Sequence, residues 1–512
     1  MQQHKPQQVV VVGGGTAGWM TALICAKQWQ GKAIAITLLE AQEIPRNGVG
    51  EGSTPALKRF FDWLEIPEAE WMLACDATFK AGIRFESWSG LATHPSYFHA
   101  FPNELDRRGE ALFYQRCQAR LKGAQWGCHP DDFFLASYLS DKQLAPKPEP
   151  HFPFLHSYGY HFDANKVAHF LQQKAPLFGV VHRYGRITAV ESAVNGDIAA
   201  LVLENGERMS ADLFIDCSGF RSLLLGQHLR GQFQSYQDVL FNDTAITLAT
   251  DVDTQQFYTC TTSTALSAGW VWRIPLTSRV GNGYVYSSSH ISDEQAAIEF
   301  RQHLGVSPES EVRKLTMKVG RYEQQWLRNC MAIGLSQGFI EPLEATGLFV
   351  IQQSAAIFAK AYLDGGLSDA HRDYVNSRLR DMFDGIKDYI VAHYKTTSRQ
   401  DTQYWRDNQA GLEKVSPSLQ QLLASWYEGK DLQQEIARQN IAQFYSPMSW
   451  YSLLSGMGLF PSQVTTAPEA DQALLELGDY YQRCCLNYAN HVQYLEKLRK
   501  HHAVPNIFAA IR

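Results

Sequence analysis

A glycine-rich turn near the start of the chain constrains the fold more than any other feature. Gly13-Gly14-Gly15-Thr16-Ala17-Gly18 lies between a β-branched run at residues 9–12 and a stretch with helical character at residues 19–28. A second apolar run, residues 33–39, is followed by Glu40. A continuous β-branched strand is typical of a buried parallel sheet, and strand, helix and strand in succession form a βαβ unit. The chain is therefore predicted to open with an α/β domain.

The turn fits the GxGxxG pattern of dinucleotide-binding proteins. Gly13 would permit the tight turn, Gly15 would let the backbone approach a pyrophosphate, and Gly18 would let the helix lie close to the strand. The helix start offers free N–H groups to that pyrophosphate, and the acid after the second strand would accept hydrogen bonds from a ribose hydroxyl. The predicted nucleotide contacts are Gly13, Gly15, Thr16, Ala17, Gly18 and Glu40. This unit alone does not distinguish NAD from FAD.

Composition excludes several classes of protein. At 512 residues the chain suits two or three packed modules. Its 46 basic and 52 acidic residues include no long run of either sign, so a nucleic-acid surface or a polybasic membrane surface is not indicated. The nine cysteines form no CxxC pair, so neither a zinc site nor a disulfide framework is expected, and a reducing cytoplasm is favoured. Residues 9–26 are uncharged like a signal-peptide core, but their glycines are poor helix residues, so no targeting segment is expected.

Strand and helix patterns divide the rest of the chain. Short strands with a turn at Glu204-Asn205-Gly206 are predicted between residues 179 and 216, and strand-rich segments continue to about residue 289. Beyond Leu348 the pattern becomes helical, with helices predicted at residues 349–363 and 370–394. Further amphipathic stretches continue to Arg499.

Six segments carry a resemblance to the flavin-dependent tryptophan halogenases along nearly the whole chain. They are residues 13–19, Gly48-Val49-Gly50-Glu51-Gly52-Ser53-Thr54-Pro55, Thr78-Phe79-Lys80-Ala81-Gly82-Ile83-Arg84-Phe85, Asp216-Cys217-Ser218-Gly219-Phe220-Arg221, Gly269-Trp270-Val271-Trp272-Arg273-Ile274-Pro275 and Gly338-Phe339-Ile340-Glu341-Pro342-Leu343-Glu344-Ala345-Thr346-Gly347. The Trp-x-Trp-x-Ile-Pro segment is regarded as diagnostic of that family.

The resemblance implies the architecture and the cofactor. We expect a mixed α/β fold whose Rossmann-like FAD-binding module, of the aromatic-hydroxylase type, spans residues 1–348 with substrate-pocket segments inserted at about 80–160. A mostly helical module, residues 349–512, would pack on it and complete the substrate pocket. Further FAD contacts are implied at Gly50, Glu51, Ser53, Gly334 and Leu335. A separate NAD(P)H-dependent flavin reductase would supply FADH2, and a homodimer is an expectation because family members are often dimers.

The resemblance also implies the reaction and its catalytic lysine. Such enzymes use FADH2, O2 and chloride or bromide to make hypohalous acid, which a tunnel leads to a lysine that matches Lys80. An amine among Phe79, Ile83 and Phe85 would be desolvated, which lowers its pKa and favours the nucleophilic neutral form. The alternative is a surface lysine at a strand edge, which is the fate of most lysines.

Glu344 matches the family's catalytic glutamate. A carboxylate there could orient the acid, or stabilise and deprotonate the cationic ring intermediate. It could equally be an acid at a helix N-terminus, because a helix is predicted from about Gly347. Thr346 and Gly347 match the positions whose backbone amides hold the halide. Ala345 replaces the family's usual serine, which puts tight coupling between the flavin and lysine sites in doubt.

Aromatic residues are implied on both sides of the lysine. Trp270 and Trp272 share one face of a predicted strand and would keep the substrate out of the flavin compartment, although core packing is the commoner fate of such pairs. Residues matching the walls of the aromatic-substrate pocket are His99, Phe101, Trp450 and Tyr451. A core histidine is an equal alternative for His99. No set of residues for an amino-acid carboxylate and ammonium is evident, so free indole is as plausible a substrate as tryptophan.

Two other functions compete with a halogenase. A single-component FAD aromatic monooxygenase would share the fold but usually carries Gly-Asp-Ala-Ala, where this chain has Ala332-Ile333-Gly334-Leu335. A non-catalytic FAD-binding protein would keep the glycine turn but would not need both Lys80 and Glu344.

Overall fold

The opening βαβ unit is present as the sequence predicts. The computed structural model describes residues 6–42, 50–461 and 471–502, so Gly48 and Val49 lie outside the described residues. Strand Gln7–Val12, helix Thr16–Gln28 and strand Ile34–Glu40 follow one another. The helix begins three residues earlier than predicted, directly after the third glycine.

This unit lies at the centre of a six-stranded sheet. In spatial order its strands are Trp326–Leu327, Cys330–Ala332, Leu213–Asp216, Gln7–Val12, Ile34–Glu40 and Val181–Tyr184. All neighbouring pairs are parallel except Trp326–Leu327 with Cys330–Ala332. The run of valines at residues 9–12 is buried, as expected for a central parallel strand covered on both faces. The predicted α/β fold class is confirmed.

A second, seven-stranded sheet contains the Trp-x-Trp segment and the strand that follows Lys80. Its order is Arg313–Thr316, Thr244–Thr250, Val280–Tyr286, Gly269–Pro275, Cys260–Ala265, Gly82–Glu86 and Ser96–Ala100. The pairs are antiparallel except Cys260–Ala265 with Gly82–Glu86. The smaller sheets contain Gly50–Gly52, Gly159–Asp163 and Thr78–Lys80; Ile187–Ser192, Ile198–Leu203 and Arg208–Met209; Phe233–Ser235, Gly320–Tyr322 and Gly338–Phe339; and Tyr488–Asn490 with Leu144–Pro148.

The C-terminal part is helical, as predicted. Helices Gly347–Gly365 and Asp369–Lys395 match the two predicted at residues 349–363 and 370–394. The other helices after the first one are Ala56–Trp63, Glu68–Ala74, Arg107–Leu121, Leu135–Asp141, Ala164–Lys174, Asp293–Leu304, Gln403–Gln409, Pro417–Tyr427, Leu432–Gln439, Pro447–Gly456, Gln472–Cys485 and His491–His501. The module boundary at residue 348 and the insertion at about 80–160 stay predictions.

The helical part packs directly on the nucleotide-binding unit. The indole nitrogen of Trp29, just after the first helix, donates to the carbonyl oxygen of Ala359 at 2.9 Å. Phe358 makes edge contacts with the rings of both Trp29 and Trp326. These rings belong to one hydrophobic core that joins the N-terminal sheet to the C-terminal helices. Burial of each such ring stabilises the fold by about 2–3 kcal/mol.

The described helices include none that is both long enough and apolar enough to cross a bilayer. The cytoplasmic location stays a prediction.

Candidate active site

Two glycines of the turn are required by the fold, and a third leaves open space. Gly13 has a φ of +120°, and a Cβ there would lie 2.3 Å from the carbonyl oxygen of Cys217. A Cβ on Gly18 would lie 1.8 Å from the carbonyl oxygen of Gly13. A Cβ on Gly15 would meet nothing within 4 Å. The start of the first helix is therefore bare where a ligand could approach it.

A cavity of about 710 Å³ opens at this turn. The predicted residues that line it are Gly13, Gly15, Thr16, Ala17, Glu40, Gly50, Glu51, Trp270, Trp272, Gly334, Leu335, Thr346 and Gly347. Gly18 lies behind Gly13, and Ser53 is also set back, because its buried hydroxyl accepts a hydrogen bond from the backbone of Tyr160 at 3.0 Å. The structure thus brings nearly all the predicted cofactor positions to one cavity, hereafter the turn cavity.

The polar groups of the turn cavity suit a ligand with both donors and acceptors. Gln337 lines it, is 0% exposed, and has no described hydrogen-bond partner for either side-chain amide atom. The indole nitrogen of Trp272 also lacks a partner among the described residues. Burial, and then the negative charge of Asp163, raise the pKa of Glu51 to about 7. Because a flavin dinucleotide carries donors, acceptors and a flat ring, the cavity fits that cofactor.

The segment before helix Gly347–Gly365 separates the turn cavity from a second site. Leu343, Ala345 and Thr346 line the cavity, whereas Glu344 makes its polar contacts with His99 and with His393. Ala345 has a φ of +57°. This left-handed conformation is uncommon for a residue with a Cβ and is often found at functional sites. Within residues 343–346, Glu344 alone does not line the cavity.

Glu344 is held by two histidines on its far side of the wall. Nδ1 of His99 lies 3.1 Å from Oε1 and 2.9 Å from Oε2, and Nε2 of His393 lies 3.2 Å from Oε1. Burial alone would raise the pKa of Glu344. The charge of His99 and the contacts from His393 outweigh burial and lower this pKa to about 2. Glu344 is therefore both a helix-start acid and a buried, paired carboxylate.

His393 is oriented by its own helix. Nδ1 of His393 donates to the carbonyl oxygen of Tyr389 at 2.9 Å, since a carbonyl only accepts. The other ring nitrogen, Nε2, is the one that lies next to Glu344. Sequence reasoning missed His393, because a lone histidine in a long helix gives no signal of such a partner.

Lys80 is buried close to the same carboxylate. Its side chain is 0% exposed, and Nζ has no hydrogen-bond partner among the described residues. Burial lowers the pKa of Lys80 to about 7, although nearby Glu344 and Cys260 act in the opposite direction. Nζ also lies 5.4 Å from the centre of the Phe101 ring. Lys80 is therefore not a surface residue, and near neutral pH it can exist as a free amine.

Comparison with known proteins identifies the family that shares this arrangement. The sequence profile of the family described as tryptophan halogenase matches residues 8–472. The chain belongs to the tryptophan halogenase family.

Individual halogenases match along almost their whole length. The tryptophan 6-halogenase SttH of Streptomyces toxytricini is 34% identical over 493 residues, which cover 90% of this chain and 90% of that protein. A tryptophan halogenase from Shewanella frigidimarina superposes with a TM-score of 0.84 at 31% identity and covers 99% of this chain and 100% of its own. BrvH, a flavin-dependent halogenase from Brevundimonas sp., gives 0.81 and 31%, with 96% and 99% covered. The resemblance inferred from the motifs is confirmed, and the chain is a flavin-dependent oxidoreductase.

Two of the four residues expected in the halogenase substrate pocket, His99 and Phe101, lie against Glu344 and Lys80, and Trp450 lies one aromatic ring further away. His99 bonds Glu344, and Phe101 lies beside Lys80. Trp450 makes an edge contact at 4.8 Å with Tyr389, whose ring is 6.1 Å from that of His99. His99 is thus a bonded core histidine and a neighbour of the catalytic candidates at once.

The structure does not bring Tyr451 to this group. Its ring contacts Tyr114 at 4.6 Å and Trp426 at 5.5 Å, and its hydroxyl accepts from Gln118 at 3.4 Å. Consecutive residues of a helix point about 100° apart. Since Trp450 faces Tyr389, Tyr451 faces a different part of the core.

Trp270, one of the two tryptophans of the Trp-x-Trp segment, is anchored by a buried glutamate that the sequence analysis did not single out. The indole nitrogen of Trp270 donates to Oε2 of Glu341 at 2.9 Å. The same oxygen accepts from Asn242 at 2.8 Å and from the Tyr394 hydroxyl at 2.9 Å. Burial still raises the pKa of Glu341 above its ordinary value. Trp272, 6.1 Å from Trp270 between ring centres, borders the turn cavity without such an anchor.

Proposed function

We propose that this enzyme uses FADH2, O2 and chloride or bromide to halogenate an electron-rich aromatic through hypohalous acid guided to Lys80. The observation that carries the proposal is the wall at residues 343–346. Ala345 and Thr346 face the turn cavity, and Glu344 faces the buried site that contains Lys80 and His99. Such a wall separates the place where an oxidant forms from the place where it is used, which protects oxidisable side chains.

The turn cavity is the proposed FAD site. The first helix start at Thr16 would face the pyrophosphate, and Glu40 would accept from the ribose. Thr346 and Gly347, at the start of the helix Gly347–Gly365, would hold the halide with backbone N–H groups. A reduced flavin held there would supply the chemistry that converts O2 and halide to hypohalous acid. Trp270 and Trp272 would keep the aromatic substrate out of this cavity.

Lys80 and Glu344 are the proposed catalytic residues. Lys80 would hydrogen-bond the hypohalous acid or form a haloamine, and its lowered pKa makes the free amine available near neutral pH. In the overall step the O–X bond breaks and a C–X bond forms. The ring proton and the hydroxide then leave as water. Glu344, ionised by its histidine neighbours, would stabilise the cationic ring intermediate and receive its proton.

Free indole, tryptophan or a related indole is the proposed substrate class. His99, Phe101 and Trp450 supply a polar edge and aromatic faces of the kind that hold a flat heterocycle. No set of residues for an amino-acid carboxylate and ammonium is evident in the sequence, so free indole is as plausible as tryptophan. A separate NAD(P)H-dependent flavin reductase is the proposed source of FADH2, and the proposed assembly and location are a homodimer in the cytoplasm.

Product analysis tests the proposal against the alternative of an FAD aromatic monooxygenase. Indole and tryptophan are each incubated with the enzyme, FAD, a flavin reductase, NADH, O2 and bromide, with chloride in parallel. Mass spectrometry should reveal brominated product by its paired isotope peaks. Hydroxylated product without halogen would favour the monooxygenase. Loss of the brominated product in Lys80→Ala would tie it to the proposed site.

A further inference from the structure

A chain of buried hydrogen bonds fixes the direction of one hydroxyl group beside Lys80. The Thr78 hydroxyl donates to the carbonyl oxygen of Pro275 at 2.7 Å. A hydroxyl has one hydrogen, so the 3.1 Å contact between Thr78 Oγ1 and Nδ1 of His161 must use hydrogen from the histidine. In the neutral ring, Nε2 is then an acceptor, and it lies 2.9 Å from Oγ1 of Thr261. Thr261 therefore donates its only hydrogen to His161.

The neutral form of His161 is the one that this environment favours. Burial, and then the positive charge of Lys80, hold the pKa of His161 well below its usual range. Its other near neighbours are His491 and Arg273, which lower the pKa further. No carboxylate contributes to this shift.

Thr261 and Lys80 both approach Gly52. Oγ1 of Thr261 lies 3.1 Å, and Nζ of Lys80 lies 3.3 Å, from the point that a Cβ on residue 52 would occupy, so a side chain there would crowd both groups. Thr261 and Gly52 both line the turn cavity, whereas Lys80 does not. Gly52 and Thr261 therefore lie at the boundary between the proposed FAD site and the catalytic lysine.

We propose that Thr261 binds hypohalous acid where it passes from the turn cavity to Lys80. This inference rests on the proposed function. The O–H of the acid donates to Oγ1 of Thr261, and the oxygen of the acid accepts from Nζ of Lys80. The halogen end stays free for transfer: the O–X bond breaks as the halogen bonds the lysine nitrogen or the ring carbon, and the released hydroxide takes up a proton to form water.

The fixed hydroxyl also distinguishes the acid from the halide. Because its hydrogen is committed to His161, Thr261 presents only lone pairs to the boundary. Lone pairs attract the O–H of hypohalous acid and repel chloride or bromide. The halide is thereby kept on the flavin side while the acid is accepted.

Bromination of indole by the holoenzyme tests this role. Wild type, Thr261→Val, Thr261→Ser and Thr262→Val are supplied with FAD, reductase, NADH and bromide, and free hypobromous acid is trapped with monochlorodimedone. Thr262 is a matched control because it follows Thr261 on the same strand and points to the opposite face. We expect Thr261→Val to lose about tenfold in brominated indole per NADH, the effect of one hydrogen bond, with more trapped oxidant. Thr261→Ser and Thr262→Val should resemble wild type, and an unchanged product ratio in Thr261→Val would overturn the inference.

A turnover-independent measurement separates this inference from the proposed function. Lysines are reductively methylated with ¹³C-formaldehyde, and the Lys80 resonance, assigned with Lys80→Arg, is followed against pH. Thr261→Val should lower the pKa of Lys80, because the oxygen lone pairs near the ammonium are lost, while Thr262→Val leaves it unchanged. If wild type yields neither brominated indole nor trapped oxidant, the proposed function fails. If the pKa of Lys80 does not respond to Thr261→Val, the inference that Thr261 presents its lone pairs toward Lys80 fails.

Discussion

Nδ1 of His99 lies 2.9 Å from Oε2 of Glu344, so a residue expected to line the substrate pocket also holds the proposed base. The other oxygen contacts His393 on the helix Asp369–Lys395. A strand of the larger sheet and a C-terminal helix therefore fix the carboxylate together. With a pKa of about 2, Glu344 is a weak base but a permanent negative charge. Its larger contribution is then electrostatic stabilisation of the cationic ring intermediate.

Removal of this charge should slow halogenation without loss of the cofactor. Glu344→Gln keeps the size of the side chain, and we expect the rate of the chemical step to fall about 100-fold or more. Single-turnover halogenation measures the rate, and fluorescence titration measures FAD affinity. Glu323→Gln, at an exposed position, is the matched control. An unchanged rate in Glu344→Gln would reduce Glu344 to a helix-end residue.

Loss of one histidine should make Glu344 titrate at higher pH. Burial raises the pKa of Glu344, and His99 and His393 together lower it. In His393→Phe one of the two groups that lower the pKa of Glu344 is lost, so this pKa should rise above about 2. The pH profile of kcat should then show a loss of activity on the acid side. His371→Phe, on the same helix, should leave the profile as in wild type. Identical profiles for wild type and His393→Phe would refute the pairing.

Lys80→Ala should abolish halogenation while FAD still binds. Lys80 does not line the turn cavity, so removal of its side chain leaves the proposed cofactor contacts intact. Product is quantified by mass spectrometry and FAD affinity by fluorescence. Lys58→Ala, a partly exposed lysine paired with Asp62, is the control. Halogenated product from Lys80→Ala would rule out the lysine mechanism.

Stability should depend on pH through the same lysine. The pKa of Lys80 falls from 10.5, its ordinary value, to about 7 in the folded chain. Below pH 7 both states are protonated and the cost of the buried charge is present in full. Between pH 7 and 10.5 the folded state releases its proton first, so wild type gains about 1.4 kcal/mol per pH unit relative to Lys80→Met. Urea unfolding of both proteins at pH 6.5 and pH 9 measures the difference, and a constant difference would contradict the burial of a charged lysine.

Local sequence was sufficient to predict the opening unit and the C-terminal helices. The valine run, the glycines and the helical periodicity are local patterns. They predict a strand, a turn and a helix from residues close together in sequence, without knowledge of distant contacts. The helix start near Gly347 was also predicted from local sequence, and Thr346 lies directly before that helix. The family motifs named Lys80 and Glu344, which are both buried and lie close enough to affect each other's charge, and their catalytic roles stay predictions.

The partners of these motif residues depend on tertiary packing and could not be predicted. His393 reaches Glu344, and Thr261 and Lys80 both approach Gly52, only because sheet and helices meet there. The left-handed backbone of Ala345 leaves no sign in the residue type, since alanine disfavours it. Tyr451 is different. Because Trp450 and Tyr451 are consecutive residues of the helix Pro447–Gly456, helix geometry alone indicates that their side chains point in different directions.

Alanine at two glycines of the turn should affect different properties, FAD affinity at Gly15 and stability at Gly18. A Cβ at Gly15 meets no atom within 4 Å, so Gly15→Ala should fold with unchanged stability but project a methyl group toward the pyrophosphate, raising the FAD dissociation constant about tenfold or more. A Cβ at Gly18 lies 1.8 Å from the carbonyl oxygen of Gly13, so Gly18→Ala should lose stability by about 1–3 kcal/mol. Fluorescence titration with FAD and urea unfolding of the cofactor-free proteins distinguish the two effects. Wild-type FAD affinity in Gly15→Ala would mean that the open start of the first helix does not hold the pyrophosphate, and the nucleotide would then have to lie elsewhere in the turn cavity.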